Sequence, residues 1–273
     1  MNYINEKIIL IDGSIYLYRA YYGLPNLKNK LGQPIGALYG MISMIKKILK
    51  KYNPYYIAII FDSGKCNYRS QIYELYKKNR NKMPDDLYVQ IPRIKKILKK
   101  MGLSIFSIEG TEADDIIGTI SKLLENQGRK TLIFTNDKDM MQLVSNNINI
   151  IHVSSYQRFD PYAVYLKYRV FPHVISDYLA LVGDASDNIP GAPGIGKKAA
   201  SILLSQFYSI EGIYENINNI KNMNFFNKNK IIKSLQNNRS KIFKYHKLTR
   251  INTDIKIRFS IKDIKLKHQK SYY

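Results

Sequence analysis

The sequence predicts an α/β fold in which a mostly parallel central sheet is flanked by helices. Short apolar runs bounded by polar residues, typical of buried strands, alternate along the chain with segments of helical periodicity. Four of these runs end beside acidic residues. Because ligands of parallel sheets bind beyond the carboxyl ends of the strands, we expect the acids to line a ligand site.

The first half of the predicted sheet comes from two runs near the N-terminus. Residues 7–11 form the first predicted strand, which leads into Asp12. A helix is expected over residues 37–51, where apolar side chains recur on one side. The second strand, residues 56–61, leads into Asp62. Taken singly, each of these acids is explained equally well as a turn or N-cap residue.

Two further strands complete the predicted sheet. Residues 104–108 form one, and residues 131–135 form the other, which leads into Asp137 and Asp139. Farther along, Asp184 and Asp187 lie three positions apart and can face the same way.

Three acids, Glu112, Asp114 and Asp115, crowd into four positions at the start of a predicted amphipathic helix. Acids favour the positive end of a helix dipole, and Thr111 with Asp114 is compatible with a capping box. Three carboxylates are more than a cap uses, however, and they repel one another unless a cation lies between them. The cluster therefore indicates either a cap or a metal site.

Together the predicted sheet edge gathers nine acids in a chain that is otherwise basic. They are Asp12, Asp62, Glu112, Asp114, Asp115, Asp137, Asp139, Asp184 and Asp187. Ligands that are all oxygen favour hard cations, so the set predicts two Mg²⁺ or Mn²⁺ ions. Two-metal sites of this kind cleave phosphodiesters.

The charge balance indicates a polyanionic partner. The chain has 43 Lys and Arg against 21 Asp and Glu, a net charge of +22, which fits nucleic acid or an anionic membrane surface. Its richness in Lys, Ile, Asn and Tyr also reflects AT-rich codons, so part of this charge need not contact anything. No long apolar run and no signal-peptide pattern is found, which predicts a cytoplasmic protein. The single Cys66 cannot form an internal disulfide.

Two segments have the composition of nucleic-acid contacts. Residues 68–82 interleave basic residues with tyrosines, which can grip phosphates and stack on bases, or can simply form a solvated helix face. Residues 189–200 form a glycine-rich turn before a helix, where backbone N–H groups can approach a phosphate. Residues 228–270 are expected to form a helical, base-rich flank.

These motifs, in this order, resemble the 5′-nuclease family, most closely the 5′→3′ exonuclease domain at the N-terminus of bacterial DNA polymerase I. The matching stretches are Leu10-Ile-Asp-Gly-Ser14, Leu17-Tyr-Arg-Ala20, Phe61-Asp62, Tyr76-Lys77, Met83-Pro-Asp-Asp86, Glu112-Ala-Asp-Asp115, Asp137-Lys-Asp-Met140, Gly183-Asp-Ala-Ser-Asp-Asn-Ile-Pro-Gly191 and Gly194-Ile-Gly196. They span nearly the whole chain.

The resemblance implies an architecture as well as an activity. It implies a nuclease core over residues 1–175 that includes a helical arch at about residues 63–92. A helical region, residues 176–273, would pack on this core and carry a DNA-binding helix-hairpin-helix at about residues 186–206. Because the chain ends about where the nuclease domain ends, we expect either a fragment or a monomeric enzyme that works beside a separate DNA polymerase.

The resemblance also implies roles for individual residues. One metal would be held or surrounded by Asp12, Asp62, Glu112, Asp114 and Asp115, and the other by Asp137, Asp139, Asp184 and Asp187. Asp62 and Asp115 would act in catalysis with Lys77 and Arg80, which would meet the scissile phosphate, and Tyr76 would stack on a base. The remaining DNA contacts would be Arg19, Gly191, Gly194, Gly196, Lys197 and Lys198, with a K⁺ ion at the hairpin.

The implied function is a structure-specific 5′→3′ exodeoxyribonuclease and flap endonuclease of DNA replication and repair. In its mechanism one cation activates water, while the second stabilises the leaving oxygen. Two alternatives stay open from the sequence: a non-catalytic protein that binds branched DNA, and a ribonuclease of a related acidic-site class.

Overall fold

The computed structural model describes residues 8–64, 68–223 and 227–267. Cys66 and the last residues of the expected basic flank lie outside these ranges, as does Lys7 of the first predicted strand. The strands of the described chain are β1 (Ile8–Asp12), β2 (Tyr56–Ile60), β3 (Ser104–Phe106), β4 (Thr131–Thr135), β5 (Ile148–His152) and β6 (Arg158–Phe159). They form one sheet in the order β3-β2-β1-β4-β5-β6, with β1 to β5 parallel and β6 antiparallel.

Helices connect the strands and build the C-terminal region. They are α1 (Gly13–Gly23), α2 (Gly36–Tyr52), α3 (Tyr68–Ile72), α4 (Asp85–Tyr88), α5 (Ile91–Lys100), α6 (Ala113–Asn126), α7 (Pro161–Tyr168), α8 (Ile175–Val182), α9 (Lys197–Phe207), α10 (Ile210–Glu215) and α11 (Lys228–Thr249). The prediction of a mostly parallel sheet flanked by helices is confirmed. Among the described residues, no helix combines the length and the apolar character needed to cross a membrane.

Each face of the sheet supports its own hydrophobic core. Successive side chains of a strand point to opposite faces, so Ile8 and Leu10 pack with α6 and the C-terminal helices. Ile9 and Ile11 pack with α1, α2 and α5 on the other face. Burial on both faces explains why the strands read as continuous apolar runs in the sequence.

The strand order reverses direction between β1 and β4, and this reversal positions the acids. Strands β2 and β3 are added on one side of β1, and β4, β5 and β6 on the other. This leaves a crevice at the carboxyl ends of the strands where the order reverses. Asp12 is the last residue of β1, and its Oδ2 accepts a hydrogen bond from the Thr135 hydroxyl at the end of β4, at 2.9 Å. The predicted ligand edge therefore lies at the topological switch point.

The arch segment, expected at about residues 63–92, is less helical than expected in its described part, residues 68–92. Only the short helices α3 and α4 precede α5, and residues 73–80 form tight turns between them. Lys77 has a φ of +55°, a left-handed value that interrupts any helix. Its backbone N–H donates to the carbonyl of Asp187 at 3.0 Å instead of to a helical partner. The chain therefore turns at Lys77 and does not continue as a helix through the arch segment.

The C-terminal region contains the expected helix-hairpin-helix. Its first helix is α8, which begins before residue 186, and its second is α9; a single 3₁₀ turn, Ala185–Asp187, and a glycine-rich loop join them. The helix α11 packs against α8. The flank is α-helical as far as Thr249, and only a short 3₁₀ helix, Ile261–Ile264, follows in its described part. Just after Thr249, where the chain leaves the α-helix, the side chains of Gln142 and Asp115 accept from the backbone N–H groups of residues 251 and 252.

The hairpin glycines face two different environments, which gives a stability test. Gly191 and Gly194 both have left-handed φ values, +74° and +76°. A Cβ on Gly191 would lie 2.5 Å from the backbone nitrogen of Gly183, whereas nothing lies within 4 Å of one on Gly194.

Alanine at these two positions should therefore cost different amounts of stability. Gly194→Ala should lower the free energy of unfolding by ~1 kcal/mol, the cost of the left-handed backbone. Gly191→Ala should lower it by roughly 3 kcal/mol or more, because the overlap involves backbone that cannot move cheaply. Urea unfolding of both variants measures the difference, and equal losses would contradict the packing of Gly191 against Gly183.

Candidate active site

A first acid group, Asp12, Asp62 and Asp114, lies beyond β1 and β2. Asp12 is buried and accepts a hydrogen bond from the backbone N–H of Ile15, so it also caps α1. Asp62 is exposed, and its Oδ1 accepts from the N–H of Ala113 at 2.8 Å, at the start of α6. The N-cap residue of α6, Glu112, makes no side-chain capping bond. Capping is the simpler of the two explanations for the clustered acids of α6. It does not account for them, because Asp62 binds the first N–H of the helix instead.

A second acid group, Asp139, Asp184 and Asp187, lies next to the first. One carboxylate oxygen from each comes within 4.8 Å of the others, and all three side chains are buried. The Oδ1 of Asp139 has no hydrogen-bond partner in the described structure, and the Lys138 Nζ lies 3.9 Å from it. This buried oxygen is therefore available as a ligand atom for a cation.

Asp137 acts electrostatically on members of both groups. Burial and then the charge of Asp62 raise the pKa of Asp12 to about 7, with a further contribution from Asp137. Burial followed by the charge of Asp137 raises the pKa values of Asp114 and Asp139 well above the ordinary range. These carboxylates are thus short of positive charge. Their all-oxygen donors and mutual repulsion fit Mg²⁺ or Mn²⁺.

Basic side chains of the arch segment contact acids at the carboxyl edge of the sheet. The Lys77 Nζ lies 2.7 Å from Glu112 Oε1 and 3.7 Å from Asp187 Oδ2. The Arg80 Nη2 lies 2.6 Å from Asp187 Oδ1. Burial opposes the charge on Lys77, but Glu112 and Asp187 together raise its pKa. The structure therefore brings together the two cations that the sequence singled out.

Tyr76 occupies a different position from the one expected. Its ring is buried, and its hydroxyl donates to Asp187 Oδ2 at 2.9 Å and Glu112 Oε2 at 3.2 Å. A ring enclosed in this way has no free face for a base, so the expected stacking role does not fit this conformation. The carboxylates attract the phenol inward because a neutral O–H donor offsets part of their charge.

Sequence reasoning missed two cations of the site, Arg69 and Lys138. Arg69 lies 2.7 Å from both Glu112 and Asp115, and its side chain is 2% exposed. Both oxygens of Asp115 accept from this guanidinium, so Asp115 pairs with an arginine, unlike Asp114 beside it. Lys138 lies 2.5 Å from Asp184. Its position between two acids in Asp137-Lys-Asp139 could have identified Lys138, whereas nothing local distinguishes Arg69 from its basic neighbours.

The remaining predicted contacts lie outside the acid groups. Arg19 is exposed on α1, and its Nη1 bonds the Ser154 hydroxyl. Four hairpin residues are exposed at the N-terminus of α9: Gly194, Gly196, Lys197 and Lys198. Gly191 is buried against α8. The hairpin thus has an inward glycine that holds its shape and outward residues that can meet a ligand.

Comparisons with known proteins agree with this architecture. The solved structure of the bacteriophage T5 flap endonuclease, in a pseudo-enzyme-product complex with DNA and metal ions, has the same fold. Its TM-score is 0.71 at 22% identity, over 91% of this chain and 90% of that one. DNA polymerase I of Pseudomonas aeruginosa is 37% identical over 251 residues, which are 92% of this chain and 28% of the polymerase.

Two family models together match nearly the whole chain. Residues 7–169 match the 5′-3′ exonuclease N-terminal resolvase-like domain, and residues 170–271 match the 5′-3′ exonuclease C-terminal SAM fold. The 5′-3′ exonuclease of Buchnera aphidicola subsp. Acyrthosiphon pisum (strain APS) is 48% identical over 269 residues, 98% of this chain and 94% of that protein. The chain therefore belongs to the 5′-3′ exonuclease family.

Proposed function

We propose that this 5′-3′ exonuclease hydrolyses DNA phosphodiesters at 5′ flaps and nicks, using two Mg²⁺ or Mn²⁺ ions at the sheet edge. One observation carries the proposal: buried acids gather at the topological switch point, and an oxygen of Asp139 among them has no hydrogen-bond partner in the described structure. Divalent cations would relieve the repulsion within this cluster and would also bind a phosphate.

The two acid groups supply the ligands. Asp12, Asp62, Glu112 and Asp114 would hold one ion, and Asp137, Asp139, Asp184 and Asp187 the other. Asp115 is left out of both sets because both of its oxygens pair with a single buried guanidinium, that of Arg69, and Oδ1 also accepts from the backbone N–H of Asn252. When bound, the ions would supply an activated water and positive charge for the leaving oxygen.

Lys77 is the protein's own electrophilic group in this proposal. Its ammonium lies between Glu112 and Asp187, one acid from each side of the site, so a phosphate held there would lie beside it. Arg80 lies on the same side, bound to Asp187. Both cations would offset the charge that develops on the phosphate in the transition state.

The hairpin would hold duplex DNA. Gly194 and Gly196 leave the backbone open beside the N-terminus of α9, where Lys197 and Lys198 add charge, an arrangement that suits a phosphate. The T5 enzyme with this fold was solved with DNA and metal ions, which supports the assignment. The K⁺ ion, the division at residue 175, the monomeric state, the cytoplasmic location and a separate polymerase partner stay predictions.

Cleavage of a 5′-labelled flap and a nicked duplex, with and without Mg²⁺, tests the function directly. We expect cleavage of both DNAs in Mg²⁺ and none in chelator. Cleavage that survives chelation contradicts the two-ion mechanism. A flap that is bound but never cut supports the non-catalytic alternative, and preference for a matched RNA flap supports the ribonuclease.

Divalent cations should stabilise the fold, since they relieve repulsion among the acids. At 100 times its Kd, each ion contributes about 2.7 kcal/mol, or roughly 5–10 °C in Tm. Asp139→Asn should raise the Tm of the metal-free protein, because one repelling charge is removed, and should reduce the rise caused by Mn²⁺. Thermal unfolding with and without Mn²⁺ measures both effects. A parent protein whose Tm does not respond to Mn²⁺ would contradict the proposed site.

Lys77→Ala should separate catalysis from binding. Single-turnover cleavage should slow by on the order of 10²-fold, the scale of one lost electrostatic donor. Flap affinity in Ca²⁺ should change little, because other basic residues still neutralise phosphates. The control is Lys78→Ala, an exposed neighbour that pairs with Glu74 and should cut at the parent rate. Equal rates for the two variants would show that Lys77 does not meet the phosphate.

The hairpin lysines should account for part of the salt dependence of DNA binding. Replacing Lys197 and Lys198 with Ala should flatten the slope of log affinity against log salt by about one to two units, roughly 0.9 for each phosphate that is no longer neutralised. The matched control replaces Lys46 and Lys47, an exposed pair on α2, whose C-terminal end leads to the opposite edge of the sheet. If both double variants give the parent slope, the hairpin lysines are exposed to solvent and do not contact a phosphate.

A further inference from the structure

Arg69 is a buried arginine whose donors are all used inside the protein. Its Nε donates to the carbonyl of Leu248, at 2.9 Å. Its Nη1 donates to Glu112 and Asp115, and its Nη2 to Asp115 and the carbonyl of Arg250, at 2.7 to 2.9 Å. A guanidinium has five N–H donors, and these hydrogen bonds use all five. Arg69 therefore has no donor left for a DNA phosphate.

Asp115 is the main partner of this guanidinium. Its Oδ1 and Oδ2 accept from the two terminal nitrogens of Arg69 in a bidentate pair, and Oδ1 also accepts from the backbone N–H of Asn252, at 2.8 Å. The side chain is 2% exposed. Asp114 precedes it on α6, and successive residues of a helix point about 100° apart. The negative charges of Asp137 and Asp12 act on Asp114 and raise its pKa. The carboxylate of Asp115, in contrast, pairs with Arg69.

Glu112 connects this pair to the reacting side of the site. Its Oε2 accepts from Arg69 at 2.7 Å, and its Oε1 accepts from Lys77 at 2.7 Å. Arg69 thus holds one oxygen of Glu112 and leaves the other turned toward Lys77. A shift of the guanidinium would rotate that carboxylate.

The pair also ties three remote segments together. Arg69 lies on α3 in the arch segment, and Asp115 lies on α6. Leu248 belongs to the last turn of α11, where helical partners for the carbonyls run out and the helix dipole has its negative end. A cation bound there is favourable in charge and in hydrogen bonding. The base of the arch segment is thereby fixed to both the acidic helix and the C-terminal region.

We infer that Arg69 and Asp115 act as one buried unit that positions Glu112, and that Asp115 binds arginine rather than a metal ion. Arg69 is a positioning residue because it acts on the substrate only through Glu112. The inference rests on the proposed two-ion function, since it concerns which acids of that site are ligands.

Counting bound Mn²⁺ by electron paramagnetic resonance tests the role of Asp115. The variants Asp115→Asn and Asp114→Asn differ by one position on α6 and remove the same charge. Asp115→Asn should bind as many Mn²⁺ ions as the parent, whereas Asp114→Asn should lose one ion or bind it at least tenfold more weakly. If both variants lose an ion, Asp115 is a ligand and the inference is wrong. A parent that binds no Mn²⁺ overturns the proposed function itself, a separate result.

Single-turnover cleavage tests the positioning role of Arg69. Arg69→Met should slow cleavage at least tenfold and raise the Mg²⁺ concentration needed for half-maximal rate, with flap affinity in Ca²⁺ within about twofold of the parent. Arg69→Lys should recover part of the rate, because a lysine can pair with Asp115 but cannot reach both carbonyls. Weaker flap binding at an unchanged rate would instead make Arg69 a phosphate contact and overturn the inference.

A double-mutant cycle tests whether the two residues act as a unit. Its double variant, Arg69→Met with Asp115→Asn, lacks both buried charges and can be measured even where Arg69→Met alone folds poorly. Asp115→Asn added to Arg69→Met should cause little further loss of rate, because the partner is already gone. Asp114→Asn added to Arg69→Met should multiply the two losses. Multiplied losses in both combinations would show that Arg69 and Asp115 work independently.

Discussion

Repulsion among carboxylates confined at one sheet edge is the constraint on which the rest of this structure depends. Burial and neighbouring charges raise the pKa values of Asp12, Asp114 and Asp139. The sequence next to these acids supplies little positive charge to offset their repulsion. Lys138, between Asp137 and Asp139, is one such neighbour. Compensating charge has to come from remote segments, so the fold must bring them to this edge. Lys77 pairs with an acid 35 positions away, and Arg80 with one 107 positions away.

The same need explains why the arch segment docks on the loop of the second acid group. Lys77 and Arg80 bring positive charge to Asp187, and backbone contacts fix the approach. The Lys77 N–H donates to the Asp187 carbonyl, and the Asn188 side chain donates to the carbonyl of Leu75. Such contacts favour turns over a helix because they take backbone groups that a helix would use. Contacts with the loop of the second acid group therefore decide the local conformation here.

Local patterns predicted what local forces determine. The strand that ends at Asp12 could be predicted from its apolar run, because both of its faces are buried. The hairpin at Gly191 could be predicted from its glycines, because only glycine fits the backbone there. Two expectations failed where distant contacts decide: an unbroken helical arch through Lys77 and an α-helix beyond Thr249. The acids that bind the buried hydroxyl of Tyr76 are equally distant in the sequence. The partners of these segments lie far away in sequence. Periodicity, which reports on neighbours three or four positions apart, does not carry such information.

The net charge of +22 does not measure the surface available to DNA. The positive charge of Arg69 is consumed within the fold, and Lys77 and Lys138 are bound to acids of the site. Lys197 and Lys198, in contrast, are exposed at the start of a helix. Basic residues thus divide into those that neutralise the acid groups and those that face solvent. Because internal ion pairs are shielded from salt and surface charges are not, ionic strength acts on DNA binding through the second set while leaving the geometry of the first intact.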